Sequence, residues 1–217
     1  MSFVARWKPD ARGRLVQAAM ELYRDRGFEG TTVAEISARA GLTERTFFRY
    51  FADKREVLFW GSRMLEELLV DKVASAPPGM APLEAVAGAL EATAPMFEER
   101  RDFARQRQKL IAAHAELKER DLIKLAALAS AIRRALLARG VPSPAAGLAA
   151  ETGIAVFKSA FERWLDDGKK RDIAHHVRAS IGELRAVASG RVGRRSPARV
   201  RRGRLGPGAA GVTDRRR

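Results

Sequence analysis

The sequence predicts an all-α protein, with a small N-terminal three-helix domain of helix-turn-helix type followed by a larger helical bundle. Three observations predict it. From residue 10 to residue 189 apolar side chains recur at three- and four-residue steps, and no alternating pattern runs longer than a few residues. The interruptions fall at Gly27, Gly41, Pro77-Pro78-Gly79, Gly140 and Gly168, residues that stop helices. Near the N-terminus two very short helical segments are separated by only Gly41-Leu42.

The first helix is expected over 11–26. Leu15, Ala18, Ala19, Leu22 and Tyr23 share one face, Asp10 can cap the start and Gly27 can stop the end. A second helix opens at Thr32, because Thr32-Val33-Ala34-Glu35 fits a capping box; Val33, Ile36 and Ala40 make its apolar stripe. Gly41 breaks it, and Thr43 can cap a third helix over 44–49. Asp53 is expected to cap a long fourth helix carrying Val57, Leu58, Met64, Leu65, Leu68, Leu69 and Val73 out of the first domain. Further helices are expected near 82–97, 99–114, 117–139, 145–167 and 171–188. The domains read as 1–56, 57–189 and a tail over 190–217 too poor in large apolar residues to build a core.

Composition narrows the function. With 217 residues and 46% hydrophobic side chains, a normal core can extend over most of the length. No apolar run approaches the roughly 20 residues that span a bilayer, and the opening MSFVARWKPD lacks the apolar stretch of a secretion signal. A cytoplasmic protein with no membrane partner is expected. Cys is absent, which excludes disulfides, Cys-held zinc and a thiol nucleophile. No HExxH, GxSxG or phosphate-loop pattern occurs, so neither an enzyme nor a cofactor is expected. Adjacent His175 and His176 point about 100° apart on a helix, a poor geometry for one ion; a solvated pair and no metal site are expected. The net charge of +15 is uneven: residues 191–217 carry +9 of it and residues 1–70 only +2. The Arg-rich tail can add nonspecific attraction to phosphate, or can reflect a compositional bias, since Arg outnumbers Lys 32 to 9.

The short-helix pair carries the function. A recognition helix must project side chains into a major groove about 12 Å wide while a first helix holds it from behind. Phe47 and Phe51 face the core, and Arg45, Thr46, Phe48 and Arg49 lie on or near the other side. The run from Gly30 to Thr43, GTTVAEISARAGLT, continued by ERTFFRYFADKREVL to Leu58, resembles the tetracycline-repressor (TetR) family. The preceding helix, with Arg24, Gly27 and Phe28, fits the same pattern. The likeness covers residues 11–60 and is only architectural beyond them.

That resemblance implies a transcriptional regulator that binds double-stranded DNA as a homodimer on a pseudopalindromic operator. It implies Thr43, Arg45 and Thr46 at bases or adjacent phosphates, with Arg45 the best placed for bidentate readout of guanine. Phe48 stands where the family usually has Tyr, which removes a hydroxyl contact to phosphate. Arg49 and Tyr50 are expected at the backbone or groove wall, and Thr31, Thr32 and Lys54 at phosphates.

The resemblance further implies a small-molecule cavity within 82–165 whose occupation shifts the fourth helix and releases the operator. Thr93, Met96, Phe97, Phe103, Arg107, Leu110, Ile111 and Phe157 are its expected wall, with Arg107 and His114 as polar anchors, for an apolar or amphipathic effector such as an acyl or aromatic acid. His114 can equally end its helix. For dimerisation, Phe161 and Trp164 on the penultimate helix, with Ile173, Val177, Ile181 and Leu184 on the last, form matching stripes suited to a four-helix seam. A constitutive DNA-binding protein whose C-terminal half only dimerises remains open, as does activation in place of repression.

Overall fold

The computed structural model describes residues 11–98, 100–168 and 171–190, all of it helix, turn and loop with no strand among the described residues. The expected cap at Asp10 and the expected tail beyond Gly190 lie outside them. No helix among the described residues is long and apolar enough to cross a membrane.

The first three helices are α1 (Ala11–Arg26), α2 (Val33–Arg39) and α3 (Glu44–Tyr50). The capping box at α2 is complete: Glu35 N donates to Thr32 Oγ1 at 3.2 Å and Thr32 N donates to Glu35 Oε2 at 2.9 Å. The backbone N–H and hydroxyl of Thr32 hold the Glu35 carboxyl below its ordinary range. Thr43 caps α3 by accepting from Thr46 N at 3.2 Å. Between the two helices, Leu42 N reaches Ser37 O at 2.9 Å and Gly41 N reaches Ala38 O at 3.0 Å, a Schellman closure. It places Gly41 at φ +64°, the left-handed region that a Cβ disfavours.

The long helix expected from Asp53 onward is interrupted. Asp53 Oδ1 accepts from Arg55 N at 2.8 Å and Glu56 N at 3.2 Å, and the chain then makes a single 3-10 turn, Glu56–Phe59. Only after Gly61 does α4 (Ser62–Ala74) begin. Val57, Leu58 and Phe59 within the 3-10 turn are all buried. The helix expected over 82–97 also breaks, at buried Thr93, into α5 (Pro82–Glu91) and α6 (Ala94–Glu98). The rest are α7 (Arg101–Ala113), α8 (Ala115–Ala138), α9 (Ser143–Asp166) and α10 (Ile173–Ala188).

Two cores result. Leu15, Leu22, Tyr23, Phe28, Ile36, Phe47 and Leu58 centre the first, and Ile111 and Leu117 from the α7–α8 corner complete it. The second joins α4, α5, α8, α9 and α10 through Leu69, Val86, Leu90, Ile132, Ile154, Trp164, Ile173 and Val177. At its tightest point a Cβ added to Gly153 of α9 would stand 2.4 Å from Val86 Cγ1 of α5, so glycine sets that helix spacing. Arginines close helix C-termini from a distance. Arg139 donates to Val73 O at 3.0 Å and Pro77 O at 2.9 Å beyond α4, and Arg105 donates to Leu165 O at 2.6 Å at the end of α9.

The last two helices depart from expectation. Trp164, Ile173 and Val177 are fully buried and Ile181 nearly so, all inside their own chain. Side chains so covered have no surface left for a second chain, so these four are not the expected interchain seam. Leu184 is half-buried against the same core, and Phe161 packs there with Phe97 and Trp164. The histidine pair is solvated only in part: His176 is buried with Nε2 3.1 Å from Asp167 Oδ2, while His175 stays half-open against Arg171 at 2.9 Å.

Candidate nucleic-acid interface and internal cavity

On the outer side of α3, Thr43, Arg45, Phe48 and Arg49 are exposed, Phe48 to 55%, directly behind which Phe47 is fully buried. An aromatic ring left so open beside a basic pair is unusual for a folded surface and suits contact with sugar or a thymine methyl. Thr46 Oγ1 lies 3.1 Å from Thr43 Oγ1, so the two hydroxyls share one edge of the helix start. Arg49 lies over the Tyr50 ring at 5.0 Å and its Nη2 donates to the Tyr50 hydroxyl at 3.3 Å. Arg12 of α1 stands over the same ring at 5.3 Å. Sequence reasoning missed Arg12, although its place on the polar face at the start of α1 is visible in the helical period. Thr32 is exposed at the start of α2.

Two expected phosphate contacts are turned inward. Thr31 is buried and its hydroxyl donates to Gly27 O at 2.8 Å. Lys54 Nζ donates to Phe28 O at 2.9 Å and Thr31 O at 2.9 Å, and stands 4.6 Å from the centre of the Phe28 ring. Tyr23 holds Lys54 from the other side, its hydroxyl donating to Lys54 O at 2.6 Å. Burial, with the Asp53 charge adding to it, pushes the Tyr23 phenol well above its ordinary value and keeps it a donor. Lys54 therefore ties the α1–α2 turn to the segment after α3.

A cavity of about 350 Å³ lies where α4, α6, α7, α8 and α9 converge. Met96, Phe97, Phe103, Arg107 and Phe157 line it, joined by Trp60, Leu65, Leu125, Leu128 and Phe161. Among the other expected wall residues, Thr93 is turned into the core with its hydroxyl donating to Leu90 O at 2.7 Å. Leu110, Ile111 and His114 sit past the cavity, against the first core; His114 lies 5.1 Å from the Phe28 ring and 3.6 Å from Glu29. The α7 helix thus serves both cores, its Phe103–Arg107 stretch walling the cavity and its Leu110–Ile111 stretch packing under α1.

Polar ties cross the same boundary. Arg107 Nε donates to Leu58 O at 2.7 Å and its Nη2 pairs with Asp121 at 2.8 Å, the guanidinium standing over Phe59 at 4.9 Å. Glu56 pairs with Arg120 at 2.5 Å and Lys124 at 3.1 Å. Burial alone would raise the Glu56 carboxyl, but the two cations outweigh it and hold it below its ordinary range. Gln106 Nε2 donates to Met20 O of α1 at 2.6 Å. Arg107, a residue of the cavity wall, is thus bonded directly to the turn between α3 and α4.

Residues 15–59 match the profile of the bacterial regulatory proteins of the TetR family, and residues 80–189, half of the chain, match the profile of the MftR C-terminal domain. The chain belongs to the TetR family. It is an all-α transcriptional regulator with a helix-turn-helix for DNA. A curated relative, the HTH-type transcriptional regulator TcmR of Streptomyces glaucescens, is 37% identical over 81 residues. That match spans 37% of this chain and 36% of TcmR's own length. FadR of Thermus thermophilus, a TetR-family repressor solved with lauroyl-CoA, is 27% identical with a TM-score of 0.51, over 86% of this chain and 98% of that one. FadR of Bacillus subtilis, solved with stearoyl-CoA, shares the fold at 16% identity and a TM-score of 0.55, over 79% of this chain and 96% of that one.

Proposed function

We propose that this TetR-family regulator acts as a homodimeric repressor, released from a pseudopalindromic operator when an apolar or amphipathic small molecule fills the cavity. One observation carries the reading: the cavity wall and the support of the recognition helix share residues. Trp60 and Arg107 line the cavity, Trp60 directly succeeds the turn Glu56–Phe59, and Arg107 is bonded to Leu58 within it. The likeness to Thermus thermophilus FadR, solved with lauroyl-CoA, supports an acyl-type effector.

Thr43, Arg45, Thr46, Phe48 and Arg49 meet the major groove, Arg45 reading a base, with Thr32, Tyr50 and Arg12 at the flanking backbone. Thr31 and Lys54 act from within by shaping the turn between α1 and α2. The dimer forms through the outward face of α9 and α10. There Ala145, Leu148, Thr152, Ala155 and Ser159, with Ala179, Gly182 and Ala186, recur at three- and four-residue steps and are open or half-open in the single chain. Leu148 is 72% exposed. Small residues let two helix pairs approach closely as a four-helix bundle.

The test is selection of binding sites from random DNA with the purified protein at near-physiological salt. A pseudopalindrome with half-sites about one helical turn apart, bound more weakly once lauroyl-CoA is added, is the expected result. An enriched site that none of a panel of acyl compounds and aromatic acids releases would replace this reading with constitutive DNA binding.

A further inference from the structure

Five cations line the cavity, Arg63, Arg100, Arg107, Lys124 and Lys158, against three carboxylates, Glu66, Asp121 and Glu162. At the end nearest the DNA-binding domain, Arg107 and Asp121 neutralise each other at 2.8 Å. Lys124 remains, and its counter-charge stands behind the wall: Glu56, which does not line the cavity and which Arg120 also holds at 2.5 Å. Glu56 can thus lose Lys124 and keep one partner, whereas Lys124 has no other partner among the described residues.

The geometry points to an ion-pair exchange: the cavity takes an anion whose apolar body lies among Trp60, Phe97, Phe103 and Phe161, and whose charged end draws Lys124 away from Glu56. This inference rests on the effector-cavity reading and adds the residue that meets the effector's charge and the ion pair it breaks. A charge-assisted pair in a partly buried wall is stronger than an exposed one, so an anion arriving beside Lys124 has a pair of its own to offer in place of the one with Glu56. Glu56 opens the turn whose Val57, Leu58 and Phe59 are buried under the helix-turn-helix. Loosening it removes one of the ties that hold α3 relative to α8. A neutral ligand of the same shape has nothing to exchange, and a cation adds to an excess of positive charge. Linkage makes the competition reciprocal: whatever weakens the Glu56–Lys124 pair must strengthen anion binding, and the anion must weaken that pair.

The experiment uses the full chain and three dodecyl probes of equal length, dodecanoate, dodecanol and dodecyltrimethylammonium, below their micelle concentrations. Binding is read from isothermal titration calorimetry and release from the operator found by site selection. Dodecanoate should bind at least about tenfold more tightly than the alcohol or the ammonium, the scale of one charge-assisted hydrogen bond. Lys124→Met should lose that advantage. Glu56→Gln, which keeps the shape but not the charge, should bind dodecanoate several-fold more tightly than the parent and hold DNA more weakly. Equal binding of the three probes by the parent overturns the anion. A Glu56→Gln protein with unchanged or weaker dodecanoate affinity overturns the exchange while leaving the cavity reading intact. Failure of all three probes to bind takes down both. Should Glu56→Gln fold poorly by circular dichroism, Lys124→Gln supplies the second arm: exchange requires it to lose anion selectivity and DNA affinity together, and loss of only one or of neither overturns it.

Discussion

Around the first core the starts of α2 and α3 and the turns beside them are closed by side chains only a few residues away, with Tyr23, Lys54, Gln106 and Arg107 adding ties from a distance. Thr32 and Glu35 close the start of α2, Thr43 closes the start of α3, Asp53 closes the turn before Glu56, and Gly41 takes the left-handed conformation between the helices. The second core has few such local devices. Its helix ends are closed by arginines from other helices, as Arg139 closes α4 and Arg105 closes α9, and its aromatic side chains converge on α6, α7 and α9 without filling the space between them. Local closure makes a unit whose exposed face keeps one shape, which a groove reader needs. On the proposed reading, closure at long range around a cavity is what lets the second unit change shape when an effector enters.

The sharpest way to break this contrast is to truncate one phenylalanine in each unit. Phe47 is fully buried beneath α3, and Phe47→Ala should cost about 3–5 kcal/mol and abolish specific DNA binding. Phe161→Ala only enlarges an existing cavity from a half-buried position, so it should cost well under half as much and alter effector preference instead. Urea denaturation of both proteins checks this, and equal losses would erase the distinction.

Next in size is the tight crossing of α5 and α9. Gly153→Ala should cost about 1–3 kcal/mol, because the new methyl meets Val86 Cγ1, and Val86→Ala in the same protein should restore part of the loss. Melting temperatures of the single and double variants decide whether this contact sets the helix spacing. Thr43→Ala should cost about 1 kcal/mol through loss of the α3 cap, with a disproportionate loss of operator affinity in gel-shift titrations, since the proposed groove contact uses the same end of α3.

The smallest expected effect is a pH dependence confined to the second unit. Burial depresses the His176 imidazole below its ordinary value, although the hydrogen bond to Asp167 opposes it. The unfolded chain therefore takes up this proton first as pH falls. Stability from this group is complete above about pH 6.5 and is lost as pH drops below it. Melting temperature should decline from pH 7 to pH 5.5, and less steeply in His176→Gln, whose amide can still donate to Asp167. Glu56, held low by Arg120 and Lys124, adds a separate loss only at more acid pH, as its carboxyl is protonated.

The legibility of the two units in the sequence mirrors the same contrast. Thr32, Glu35, Gly41 and Thr43 are readable because capping and left-handed turns act within four or five residues. Asp53 misleads for the same reason: its local hydrogen bonds are real, but they close only a single 3-10 turn, Glu56–Phe59, and the helix proper starts at Ser62. On α7 the apolar period is visible, yet nothing local says that Phe103 faces the cavity while Ile111, two turns on, faces the DNA-binding domain. On α9 and α10 the large apolar stripe suggests a dimer seam that the fold uses for its own core. Large side chains are the ones a single chain buries first, and small residues such as Ala155, Ala179 and Gly182 leave almost no mark in a hydrophobic pattern.

By itself the sequence determined the all-α class, the helix-turn-helix with its caps, and the family, because these depend on residue types at fixed short separations. Only the tertiary structure decided which apolar stripe faces which core, that Thr31 and Lys54 point inward, and that Lys124 and Arg107 stand between the cavity and the turn after α3. Those facts depend on where α7 packs against α1 and where α8 meets the segment after α3, some sixty to ninety residues apart in the chain. Such a crossing is set by the sum of many weak packing contacts and not by any one residue.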